Sequence, residues 1–238
     1  MATDNGRPPL IIIGESGGPV GDPEARWLLD TVDEWRVRSE VPRHRPGWFS
    51  ASELGEDDET LIERYRGVLR YNGHTARELR VFDNGRDRDG SWKRYLQEAG
   101  LSAVGEEDAR EIVINHLRLR GSLDDIARNP DTGDLFVIEF KTMNPYLYGR
   151  LHEPKPEHKL QVMAYMAATA IHQSMVLYES KGDQAVRGFY VPFDGVVWNE
   201  QAARLVRLRR EAERRDAALP AGVKDAGLRL VEALTDGG

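Results

Sequence analysis

Two short stretches carry residues able to do acid, base or metal chemistry: "GSLDDI", residues 121–126, and "FVIEFKTM", residues 136–143. The second reads as a buried strand interrupted by Glu139 and Lys141, opposite charges two residues apart. Side chains alternate across a strand, so Phe136, Ile138 and Phe140 take one face while Val137, Glu139 and Lys141 take the other. Between the stretches, "RNPDTGD" is rich in turn formers and predicts a hairpin. A symmetric register sets Asp124 opposite Glu139, with Cβ atoms roughly 5 Å apart. Like charges so placed destabilise a sheet. A cation relieves them: Lys141 itself, or a divalent ion that leaves Lys141 free for another task. Hard ions such as Mg²⁺ take carboxylate and carbonyl oxygens, and the Phe140 carbonyl lies between Glu139 and Lys141. Asp124, Glu139, that carbonyl and a nearby amine suit phosphodiester cleavage, in which the ion polarises phosphate and activates water while the ammonium stabilises charge. The competing structural reading is a surface hairpin with an Asp124–Lys141 bridge, worth ~0.2–1 kcal/mol. Asp125 replaces Asp124 only if the register slips by one, and its side chain is expected on the core side.

The elements that must position these groups are legible around them. "PKPEHKLQVMAYMAATAIH" predicts a helix entered through prolines, and "MVLYES" with "VRGFYVPF" predicts a further hairpin. "REIVINHLRLRGSLDDIA" has strand character. Helices are expected from "FSASELGEDDETLIERYRG", with Ser50 or Ser52 as cap, and from "FDNGRDRDGSWKRYLQEAGL", with Gly100 as its stop. "EQAARLVRLRREAERRDAA" predicts a basic amphipathic C-terminal helix. Residues 1–46 read as an N-terminal extension: an apolar "LIII", a glycine-rich turn, and a helix capped by Asp22 that carries Trp27, Leu28, Val32 and Trp35 near one face. That helix is a candidate surface for a protein partner. Residues 47–238 then form the main domain, an α/β core with a central mixed sheet flanked by helices.

Composition narrows the chemistry. With 238 residues, 40% of them apolar, the chain can bury one sizeable core. It has no cysteine, which excludes disulfides, thiolate zinc sites, iron–sulfur clusters and cysteine nucleophiles. A net charge of −7 opposes a generally basic nucleic-acid binder without excluding a local basic groove. No apolar run approaches the ~20 residues of a membrane helix, and the first residues lack a secretory pattern, so a cytoplasmic protein without membrane contact is expected, in the host cytoplasm if phage-encoded.

Taken together, "GSLD" (Gly121–Asp124), "EFK" (Glu139–Lys141) and Gln161 with Tyr165 resemble the G-x-x-D, E-x-K and Q-x-x-x-Y motifs of the PD-(D/E)xK nuclease superfamily. They are most similar to its RecB-like branch of CRISPR-associated and phage exonucleases, over roughly residues 47–194. The resemblance implies a restriction-endonuclease-like core and a hydrolase that cuts DNA, an exonuclease before an endonuclease, in recombination, repair or phage DNA processing. It makes Asp124 and Glu139 ligands of Mg²⁺ or Mn²⁺ and Lys141 the catalytic lysine. Gln161 and Tyr165 would contact substrate from the flanking helix. Helical spacing adds His158 to their face and puts Leu160, Met163, Ala167 and Ile171 on the other, so that one face packs and one reads substrate.

The sequence departs from that branch at one point. Where the branch carries a metal-binding histidine, alignment at Gly85 puts Arg88, followed by Asp89. Asp89 or Glu53 is then a substitute ligand, or the site is oxygen-only and suits Mg²⁺, or cleavage is impaired. The last option gives the alternative function, a nuclease-fold protein that binds DNA or a protein without cutting. "GESGG" at Gly14–Gly18 satisfies G-x-S-x-G, but Pro19 and "VGDPE" leave no helix after it, and a glycine turn is the better reading. The arginines from Arg204 to Arg215 are either a solvated face or a track for phosphates.

Overall fold

The computed structural model describes residues 26–40, 45–68, 74–104 and 110–218. The expected "LIII" strand, the Gly14–Gly18 turn and the Asp22 cap lie outside those residues. The strands form two mixed sheets. In one, β1 (Phe49–Ser50) runs parallel to β3 (Leu119–Ser122), which pairs antiparallel with β2 (Glu111–Ile114). In the other, β4 (Asp125–Arg128), β5 (Leu135–Met143), β6 (Gln173–Ser180) and β7 (Val186–Pro192) stand in that order, with β5 and β6 parallel and the outer pairs antiparallel. The stretch 110–127 therefore divides. A 3-10 turn at Asn115–Leu117 separates β2 from β3, and Leu123 with Asp124 carries the chain from one sheet to the other. The β4–β5 hairpin has the predicted register, Asp125 opposite Ile138 through Arg128 opposite Leu135, so Asp124 falls one step past the last pair, level with Glu139.

Parallel neighbours need a crossover. Between β5 and β6 it is made by α4 (Pro145–Gly149) and α5 (Pro156–Thr169). α5 starts at Pro156, where a missing N–H is tolerated, and ends at Ala170, whose φ of 57° turns the chain out of the helix. Gln161, Val162, Met163, Ala164, Tyr165 and Met166 are all buried, as befits a helix wrapped by protein on nearly every side. The expected division of α5 into a packed face and an open face is thereby corrected.

α3 (Ala76–Glu98) begins well before the expected segment because Thr75 and Glu78 form a reciprocal capping box. It ends where predicted, with Gly100 at φ 71° donating its N–H to the Gln97 carbonyl. The cap of α2 (Asp58–Arg66) is Asp57, which accepts from the Thr60 N–H at 2.9 Å. Ser50 and Ser52 are not caps of it, since they lie in β1 and in the 3-10 turn Ala51–Glu53. α6 (Gly195–Ala217) starts under Asp194. Its arginines interlock with α2: Arg204 and Arg207 hold Asp58, and Arg215 holds Glu59. α1 (Arg26–Arg38) is tied to α3 by Arg36 on Asp83 at 2.7 Å and by Arg80 on Asp33. Trp27 and Trp35 stay 68% and 64% exposed. Among the described residues no helix is long and apolar enough to cross a membrane.

Candidate active site

The position of Asp124 is set by a glycine and a tyrosine. A Cβ on Gly121 would stand 2.8 Å from Tyr165 Cε1 and 2.8 Å from Ala51 Cβ, so only glycine lets β3 lie this close to α5. The Tyr165 hydroxyl donates to the Ser122 carbonyl at 2.9 Å and accepts from Gln161 Nε2 at 2.8 Å. This clamp grips the chain two residues before Asp124. Asp124 Oδ2 then accepts the Phe140 N–H at 2.8 Å, taking the bond that β4 stops short of making. A strand residue sends N–H and C=O to the same edge. The Phe140 carbonyl is therefore directed toward the Asp124 side.

Glu139 is 2% exposed, and its Oε1 lies 2.5 Å from Lys141 Nζ, on the same strand face. Glu139 Oε2 is buried without a hydrogen-bond partner. Burial and the neighbouring Asp124 charge push the Glu139 pKa up to about 8. Burial works against the Lys141 ammonium, yet Glu139, Asp124 and Asp89 outweigh it and hold its pKa above the ordinary lysine value. Asp89 is raised to about 6, by burial and then by Asp124. Acid and amine alike hold protons tightly here, the behaviour of a partly buried cluster with unmet negative charge. The expected Asp124–Lys141 bridge of the purely structural reading is not formed. Lys141 serves Glu139, and Asp124 Oδ1 faces Lys93 Nζ at 3.6 Å.

α3 closes the other side of the sheet. Arg88, which stands in place of the expected histidine, lies 2.5 Å from Glu179 Oε1, and Trp92 Nε1 donates to Glu179 Oε2 at 2.7 Å. Trp92 also stacks on Phe140, with centroids 5.3 Å apart. Arg88 and Trp92 thus lock the register of α3 against a buried carboxylate, while Asp89 and Lys93, one residue further on in each turn, are left beside Asp124. Sequence reasoning missed Lys93 and Glu179. Lys93 was findable as the residue four after Asp89 on one helix face, and Glu179 as an acid inside the apolar run "MVLYES".

A hard divalent cation fits this donor set. The partnerless Glu139 Oε2, the Asp124 carboxylate and the Phe140 carbonyl are all oxygens, and a small dication keeps waters for its remaining positions. Among the described residues no group of three or more acidic or imidazole side chains is gathered for a metal. Asp89 shares a recess with Lys141 and Phe140 without completing such a trio. Glu53 is bound to Arg64 at 2.8 Å. Asp125 is fully buried on Ser102 and the Ile126 N–H. Gln161 and Tyr165, expected as substrate contacts, are buried, Tyr165 at 1% exposure, because α5 is covered by both sheets. Their hydrogen bonds run inward. His158 stays half-buried with Nδ1 2.7 Å from the Tyr178 hydroxyl, and burial followed by the charge of Lys141 pushes its pKa down to about 3, so it is neutral near pH 7.

Mixed sheets flanked by helices, with an aspartate just before β4 set beside an E-x-K on β5, define a restriction-endonuclease-like fold. The sequence profile of the PD-(D/E)XK nuclease superfamily matches residues 23–236, and the chain belongs to that superfamily. No curated protein gives a match. Among solved structures, the alkaline exonuclease LHK-Exo from Laribacter hongkongensis is similar with a TM-score of 0.53 at 18% identity, covering 83% of this chain and 99% of the other. The structure of LHK-Exo in complex with dAMP gives a TM-score of 0.51 at 19% identity, covering 79% and 98%. At such identities the likeness is one of fold.

Proposed function

We propose that the protein is a metal-dependent deoxyribonuclease, an exonuclease in preference to an endonuclease, serving recombination, repair or phage DNA processing. The observation that carries this reading is the meeting of Asp124, from the link between the sheets, with Glu139 and Lys141 on β5, where the buried Glu139 Oε2 has no hydrogen-bond partner. Asp124, Glu139 Oε2 and the Phe140 carbonyl would hold Mg²⁺ or Mn²⁺. Bound there, the ion would supply Lewis-acid polarisation of the scissile phosphate and acidify water. Lys141, released from Glu139 when the carboxylate is otherwise neutralised, would turn its ammonium to the phosphate or the attacking water. The Gln161–Tyr165 clamp would keep Asp124 at its post, and His158 would border the site as a neutral hydrogen-bonding group. LHK-Exo, similar in fold, is named an exonuclease, and one of its structures holds dAMP; both support DNA as substrate.

The test is hydrolysis of end-labelled linear DNA with Mg²⁺ or Mn²⁺, against a chelator and against Lys141→Ala. Cleavage that needs metal and drops at least about 10²-fold in the variant is expected, and equal rates in the two proteins would refute the assignment. Covalently closed circles separate the two modes, since an exonuclease leaves them intact. One observation favours a second reading, binding without cleavage: Arg88 occupies the place of the expected histidine and is engaged by Glu179. Under that reading calorimetry finds no Mn²⁺ affinity that Asp124→Ala abolishes.

A further inference from the structure

We propose that Lys93 is a second phosphate-holding amine of this site, kept in reserve by Asp124 and handed to the substrate when a divalent ion takes that carboxylate. The inference rests on the nuclease reading and deepens it. Its first support is placement. Lys93 Nζ lies 3.6 Å from Asp124 Oδ1, the carboxylate whose other oxygen caps Phe140, and its side chain is 25% exposed, open enough to meet a ligand. Its second support is register. The turn of α3 that bears Lys93 is held at two points by one buried acid, Arg88 and Trp92 both on Glu179, and by the stacking of Trp92 on Phe140. A surface lysine that met Asp124 by chance would need no such anchoring.

The residue types point the same way. Arginine outnumbers lysine 27 to 6 in this chain, and the interlocking of α6 with α2 is done by arginines. Two of the six lysines, Lys93 and Lys141, nevertheless meet the same acidic cluster. A compact, mobile ammonium can leave a carboxylate and follow a phosphate, whereas a guanidinium in a two-pronged pair resists transfer. Lys141 pairs with Glu139, and Lys93 faces Asp124. A dication on those carboxylates would repel both amines at close range, and a phosphodiester with two non-bridging oxygens offers each a new partner. Lys93 and the metal thus compete for Asp124 but cooperate on the substrate.

That opposition of signs is the test. Lys93→Met removes the charge and keeps much of the stem, on a partly exposed helix position. Calorimetric titration with Mn²⁺ is expected to show binding about five- to tenfold tighter than wild type. Single-turnover cleavage of labelled linear duplex at saturating Mn²⁺ is expected to slow about 10²-fold, and fluorescence anisotropy in Ca²⁺ should show weaker DNA binding. Lys93→Arg, which restores the charge, should return Mn²⁺ affinity to the wild-type value. A merely structural lysine would weaken metal binding and cleavage together. Mn²⁺ affinity that is unchanged or weaker in Lys93→Met, or cleavage within twofold of wild type, would overturn the proposal. If wild type itself cuts no DNA, the nuclease reading fails instead, and the Mn²⁺ titration alone still decides whether Lys93 and metal compete.

Discussion

Gly121→Ala probes the link between the packing of α5 and the chemistry at Asp124. The added Cβ would sit 2.8 Å from Tyr165 Cε1, 2.8 Å from Ala51 Cβ and 3.3 Å from the Tyr165 hydroxyl. Carbon atoms pack at about 3.5–4.0 Å, so two contacts at 2.8 Å must each open by about 0.7–1.2 Å. Neither neighbour yields readily, because Ala51 is fully buried and Tyr165 is pinned by Gln161 and the Ser122 carbonyl. Overpacking of this kind costs about 1–3 kcal/mol, and a displaced Tyr165 adds about 1 kcal/mol for each weakened buried hydrogen bond. We expect a loss of about 2–4 kcal/mol in urea unfolding followed by circular dichroism. If β3 yields instead, Asp124 moves with it, and a shift near 1 Å in a catalytic group costs about 10²-fold in rate. Single-turnover cleavage at a temperature where the variant stays folded reads that arm. Ala51→Gly removes one of the two clashes, so the double variant should regain about 1 kcal/mol relative to additivity. An unfolding free energy within about 0.5 kcal/mol of wild type for Gly121→Ala would refute the close packing of β3 on α5, and full-rate cleavage by a destabilised variant would show that Tyr165 gives way while β3 holds Asp124 in place.

Tyr165→Phe keeps the buried ring but strands the Ser122 carbonyl and the Gln161 amide, and should lower unfolding stability by about 1–3 kcal/mol; an unchanged urea midpoint would show that the clamp contributes nothing. Glu179→Ala leaves the Arg88 and Trp92 donors facing a void, and a drop of about 3 kcal/mol is expected, seen as a lower thermal midpoint that Glu179→Gln recovers in part. His158 titrates at about 3 in the folded chain against 6.5 unfolded, so the unfolded state binds the extra proton and stability falls as pH drops from 6.5 toward 3. At 1.36 kcal/mol per unit the ceiling is about 5 kcal/mol, lowered by the part of the ring still open to water. His158→Asn should flatten that slope; an unaltered acid limb in denaturation at pH 4–7 would exclude His158 as its source.

How much of this was legible beforehand follows from the range of each interaction. Glu139 and Lys141 share a strand face by the two-residue period of β structure, and the hairpin through "NPDTG" set Asp124 level with Glu139, because turn chemistry and alternation are local. The absence of cysteine likewise confined any metal site to oxygen and imidazole donors from composition alone. The fate of Tyr165 was not legible. Helical spacing puts it with Gln161 on one face, but only the meeting of two sheets around α5 decides that this face is buried and that its hydroxyl grips the Ser122 carbonyl. The partners of Arg88, Trp92 and Lys93 lie 91, 87 and 31 residues away along the chain, at Glu179 and Asp124. No local pattern encodes such pairings, since they exist only once α3 is laid across the strands, and it is that crossing that turns an acid, an amine and a motif into a charged recess.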